Sequence, residues 1–113
     1  MIPVPLLILA APAPIPTPEA QKIEALIQAV AALQGAVFIR NGSEHTPAEA
    51  AEHLRLKWRN AGKRVKTAPE FIQHCASGSS MSGRPYEIRF KDGHTVLSRD
   101  WLWTELKRME AAR

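Results

Sequence analysis

A chain of 113 residues, 45% of them apolar and 23% charged, has the length and composition of one globular domain. That excludes a multidomain architecture and, outside a Pro-rich start, a disordered chain. A single cysteine excludes an intramolecular disulfide and any CxxC metal knuckle, while a formal net charge of +4 favours anionic partners.

The first 16 residues carry an apolar run from Val4 to Ala11 and small residues at Ala11 and Ala13 in an A-x-A arrangement. They read as a signal peptide or a Pro-rich leader on a single domain over 17–113. No Lys or Arg follows Met1, so the positive n-region is missing. The run is shorter than the roughly 20 residues a bilayer span needs, and no cysteine follows it to accept a lipid anchor.

Thr17-Pro18-Glu19 starts a first helix whose Ile23, Leu26, Ile27, Val30 and Leu33 keep a helical rhythm up to Gly35. Ala36 to Ile39 is either a third short strand or an extended segment beneath a hairpin. Asn41-Gly42 marks a turn, which makes Arg40 to His45 an expected polar corner at the entrance of the next helix. Thr46-Pro47-Ala48-Glu49 has the form of a capping box, with proline at the first helical position. Ala51, Leu54, Trp58 and Ala61 then draw one apolar stripe to Gly62.

A second box, Thr67-Ala68-Pro69-Glu70, opens a short helix expected to bury Phe71, Ile72 and Cys75. Ser77 to Gly83 lacks periodicity and reads as a loop. Tyr86, Ile88 and Phe90 alternate with charged residues, and Asp92-Gly93 turns the chain into His94 to Leu97, the one clear β-hairpin. Ser98 is the expected cap of a last helix whose Trp101, Leu102, Glu105 and Met109 region closes the core, with Trp103 and Leu106 widening the apolar face. The fold class is therefore α+β: four helices packed with one β-hairpin, with or without the third strand.

Three separated stretches, FIRNGSEHTPAEAAEHL, KTAPEFIQHCASGSSMSGRPYEIRF and DWLWTEL, occur in an order that resembles the YfeK-like family of small bacterial envelope proteins. The resemblance runs from about Glu24 to Leu106. It implies export to the periplasm or beyond and a compact single domain, and it carries over no catalytic residue.

The candidate binding residues are Arg40, Asn41 and His45 in the polar corner, and Ser79, Ser80, Ser82 and Arg84 in and after the serine-rich loop. Gly-containing loops of this kind offer hydroxyls and backbone N–H groups to anions. Arg55, Lys57, Arg59, Lys63, Arg64 and Lys66 place six positive charges in twelve residues, a candidate anion-binding segment. No metal or cofactor is expected: His45 and His53 would stand roughly 12 Å apart along a helix, and adjacent His74 and Cys75 point about 100° apart. The nucleophile motifs G-x-S-x-G and S-x-x-K are absent.

The composition of these features favours a noncatalytic module binding an envelope protein or an anionic envelope polymer. One alternative is a small hydrolase or transferase pairing His45 with a loop serine. Another is a cytoplasmic nucleic-acid binder acting through the basic segment, disfavoured because no aromatic stacking platform or helix-turn-helix accompanies it.

Overall fold

The computed structural model describes residues 17–112, and the expected leader over 1–16 lies outside the described residues. The first three α-helices each begin where a threonine side chain satisfies a free amide. Thr17 caps α1 (Pro18–Ala31) by accepting from the Ala20 amide. Both expected capping boxes form. In α2 (Pro47–Ala61) the Glu49 amide donates to Thr46 Oγ1 at 3.1 Å, while the Thr46 amide donates to Glu49 Oε1 at 2.8 Å. In α3 (Ala68–Cys75) Thr67 and Glu70 repeat the exchange at 3.2 and 3.1 Å. Main-chain donation holds both glutamate carboxyls below the ordinary range, from the Thr46 amide for Glu49 and chiefly from the Lys66 amide, at 2.9 Å, for Glu70. A single 3₁₀ turn, Gly62–Arg64, follows α2.

Four antiparallel strands, not one hairpin with a possible third strand, form the sheet. They are β1 (Val37–Arg40), β2 (Ser43–His45), β3 (Glu87–Arg89) and β4 (Thr95–Leu97), in the order β2-β1-β3-β4. The undercount has a local cause. Ser43-Glu44-His45 contains no aromatic or β-branched residue, so nothing in its composition marks a strand. It pairs with β1 because Asn41 and Gly42 take positive φ of 51° and 79°, which suits the tight two-residue turn of a hairpin. Arg40 thus ends a strand, and the expected polar corner is the tip and second strand of a hairpin.

One face of the sheet is covered. Pairing His45 with Phe38, Phe38 with Ile88 and Ile88 with Val96 puts these four side chains in one row across the strands. Phe38 and Ile88 are buried among Leu26, Ile27, Leu54, Phe71, Leu102 and Leu106 from all four helices. Trp58 meets Phe71 edge to face at 6.2 Å. Cys75 lies in this core as expected, and burial pushes its thiol pKa up.

The last helix, α4 (Ser98–Ala111), departs from expectation at two points. Leu97 occupies the cap position and no side chain caps the helix. Strand β4 runs into α4 without a linker, so the Ser98 amide donates instead to the Tyr86 carbonyl at 2.9 Å and Ser98 is buried. Trp103 is exposed, because Leu102 and Leu106, four residues apart, hold the inward face.

Replacing Thr46 with Ala removes the hydroxyl that accepts from the Glu49 amide at the entrance of α2 and leaves the main-chain donation to Glu49 in place. Urea unfolding of that variant is expected to show a loss of about 1 kcal/mol with an unchanged slope.

Candidate functional site

The hairpin tip and the serine-rich loop converge. Asn41 Nδ2 donates to Ser79 Oγ at 3.2 Å, and Ser82 Oγ donates to Asn41 Oδ1 at 2.5 Å. Arg84 reaches the same place: a Cβ on Gly42 would sit 3.8 Å from its Nη1. The loop is itself a tight reversal. Gly78 bridges Pro85, the Ser79 amide donates to the Arg84 carbonyl at 3.0 Å and the Gly83 amide to the Ser79 carbonyl at 2.9 Å. Gly78 is required there, since a Cβ would come within 2.8 Å of the Arg84 carbonyl oxygen.

This geometry changes what the serines can do. The amides of Met81 and Ser82 donate to Ser79 Oγ, and the Arg84 amide donates to Ser82 Oγ, each at 3.2 Å. These N–H groups are therefore spent on the loop's own hydroxyls and do not form the anion nest that such a sequence suggests. Ser80 alone among the three candidate serines turns to a cleft. His45 makes no hydrogen bond to a loop serine among the described residues, so the arrangement lends no support to a His45–serine nucleophile.

The basic segment divides by geometry. Arg55 points back to α1, where its Nη1 lies 2.6 Å from both oxygens of Glu24. That pair holds the Glu24 carboxyl below its ordinary range. Lys57 turns the other way and donates to the Gly78 carbonyl and to Tyr86 Oη, each at 3.0 Å, with its ammonium 4.9 Å from the Tyr86 ring centroid. Arg59, Lys63, Arg64 and Lys66 stay exposed at the end of α2 and beyond.

Where these two regions meet there is a cleft of ≈ 220 Å³. Lys57, Asn60 and Arg64 stand on one side, with His74 and Ser80 on the other and buried Cys75 at its base. No Asp or Glu lines it. Arg64 is braced toward the helix end, its Nε donating to the Ala61 carbonyl at 3.3 Å and its Nη2 to the Asn60 carbonyl at 3.5 Å. Two of the three Lys57 N–H groups are used within the fold, which leaves one for an occupant.

Tyr86 links this cleft to the sheet. Lys57 can only donate to Tyr86 Oη, so the phenol proton is available to His53 Nε2, 3.2 Å away. His53 suits that role because burial, helped by the charges of Arg40, Lys57 and His45, lowers its pKa from 6.5 to about 4. The chain Lys57–Tyr86–His53 was not among the sequence candidates. Its trace there is the spacing of His53 and Lys57, four residues apart and so on one face of α2.

A family model described as a family of unknown function, DUF5329, matches residues 17–110. An uncharacterized protein of Salmonella typhimurium, YfeK, is 44% identical over 68 residues, which are 60% of this chain and 57% of that protein. The chain thus matches little more than half the length of this curated relative. No solved structure matches the chain.

The lowered His53 pKa has a signed consequence. Between pH 6.5 and about 4 the unfolded chain binds a proton at this residue that the folded chain refuses, so His53 makes stability fall as pH drops through that window. Urea unfolding series at several pH values are expected to show a shallower fall in His53→Gln than in the parent. Equal slopes would mean that His53 is protonated in the folded protein as readily as in the unfolded one.

Proposed function

The chain belongs to the DUF5329 family, a family of unknown function, and on that premise we propose that it is an exported, noncatalytic module that binds an anionic envelope polymer through the cleft between α2 and the serine-rich loop. The observation that carries this reading is the composition of the cleft. Lys57 and Asn60 of α2, Arg64 of the 3₁₀ turn, His74 of α3 and Ser80 of the loop supply donors, and no carboxylate opposes them. Outside the cleft, Arg59, Lys63 and Lys66 extend the positive surface and would draw a long polyanion along it.

The chemistry suits binding more than turnover. Three titratable groups in or behind the cleft are held in place: Lys57 by two acceptors, Arg64 by two helix carbonyls, and His53 as a neutral acceptor. The Cys75 thiol is buried with a raised pKa, which opposes a thiolate nucleophile. Export is supported by the apolar run from Val4 to Ala11 and the small residues Ala11 and Ala13. An acidic surface on an envelope protein would meet the same donors.

Two measurements test the reading. Intact mass of the protein recovered from periplasmic and cytoplasmic fractions is expected to give a periplasmic species cleaved near Ala13; an uncleaved cytoplasmic chain would overturn export. Binding to immobilised lipopolysaccharide is expected to fall steeply with added salt. Arg64→Ala combined with Lys63→Ala should weaken it about tenfold or more, each charge near an anionic surface being worth about 1 kcal/mol. Unchanged affinity in the double variant would remove the cleft from the interaction.

A further inference from the structure

A second space lies on the far side of Tyr86, between the end of the sheet and α2. It is a cavity of ≈ 30 Å³ with Phe38 and Leu54 as apolar walls and Arg40, His45, Tyr86 and Ser98 among its polar lining. By volume it holds about two water molecules, or the end of a small ligand.

Register explains why polar groups face it. His45 pairs directly with Phe38, so its ring shares the helix-facing side of the sheet, and Arg40, two residues beyond Phe38, points to that side as well. Ile39 and Glu87, opposite one another in the ladder, belong to the other face and offer the cavity their main chain. The Glu87 carboxylate is thereby directed away, and no other Asp or Glu lines the space.

One atom is left without a partner. His45 Nε2 is buried and makes no hydrogen bond among the described residues. A buried polar nitrogen in that state costs free energy that an occupant with a complementary atom would recover. Ser98, 3% exposed and held by its amide to the Tyr86 carbonyl, brings a hydroxyl to the same cavity. Arg40 is half-buried at its edge. With its proton on Nε2 the imidazole is a donor, as are the hydroxyl and the guanidinium. His53, also in the lining, already pairs with Tyr86.

We propose that this cavity is a binding site for a carboxylate carried on a short apolar group, with the carboxylate oxygens meeting His45 Nε2–H, the Ser98 hydroxyl and Arg40, and the alkyl part lying against Phe38 and Leu54. A carboxylate satisfies several donors at once, and charge-assisted hydrogen bonds are the stronger kind. The small volume limits the buried portion to an acetate- or propionate-sized group. Such a group exists both as a free short-chain acid and as the carboxyl end of a peptide.

The site is separate from the anion cleft in its donors, so the two readings fail independently. The test is an NMR titration of the whole protein at pH 7, following the His45 imidazole and the Arg40 and Ser98 amides, with sodium acetate in one arm and N-acetylalanine in the other. Sodium chloride at equal ionic strength is the control. Saturable shifts at millimolar acetate are expected, and the midpoint should rise about tenfold or more in His45→Gln and in Ser98→Ala. Arg64→Ala should leave it unchanged. Tighter binding of N-acetylalanine would assign the site to a chain end, and binding of acetate alone to a free acid. Absence of a saturable shift from either compound up to about 100 mM, with both variants folded, would leave the cavity to water and overturn the proposal.

Discussion

Tyr86 is the residue on which the arrangement of the site depends. Its amide donates to the Ser77 carbonyl at 3.0 Å and its carbonyl accepts from the Ser98 amide at 2.9 Å, which ties the approach to the serine-rich loop to the start of α4. Its hydroxyl, meanwhile, reaches Lys57 and His53 on α2. One buried residue, by its main chain and its phenol together, therefore ties three parts of the chain to one another. It lines the cavity and, through its bond to Lys57, is joined to the cleft. A buried hydroxyl so fully engaged costs little to desolvate and specifies a single packing, which a phenylalanine of the same shape would not.

The distribution of positive charge follows from that packing. Along the sequence the basic residues from Arg55 to Lys66 form one cluster. In the folded chain Arg55 neutralises Glu24 on α1, Lys57 is bound by acceptors behind the cleft, and the remainder point to solvent. Half of a solvent-exposed ion pair contributes little to stability. The same ion in a cleft without carboxylates acts on whatever anion arrives. Position, and not the number of charges, thus separates the cations that brace the fold from those available to a partner.

The serine-rich loop shows a related division. Its hydroxyls look like an exposed set of donors, yet Ser79 Oγ accepts from two loop amides and from Asn41, and Ser82 bonds Asn41 in return. A loop of small residues becomes a braced reversal, with Met81 left 97% exposed at its tip. The result is rigid support for Ser80 at the edge of the cleft, built from residues whose composition alone describes a flexible connector.

Local grammar was legible in the residues themselves. Thr46 with Glu49 and Thr67 with Glu70 mark helix starts because a cap is satisfied within four residues. The stripe Ile23, Leu26, Ile27 and Val30 marks the buried face of α1 because period and burial are linked along one helix, and Asp92-Gly93 marks a hairpin because alternation surrounds it. What only the tertiary structure decided depends on partners far apart in sequence. Strand β2 exists because β1 offers it a ladder, Ser98 is a buried residue and not a cap because β4 leads straight into α4, and His45 is turned inward by its register against Phe38. The cleft and the cavity are of this second kind. Each assembles donors from segments separated by 20 residues or more, among them Lys57 with Ser80 and His45 with Ser98, and no spacing along the chain encodes the distance between them.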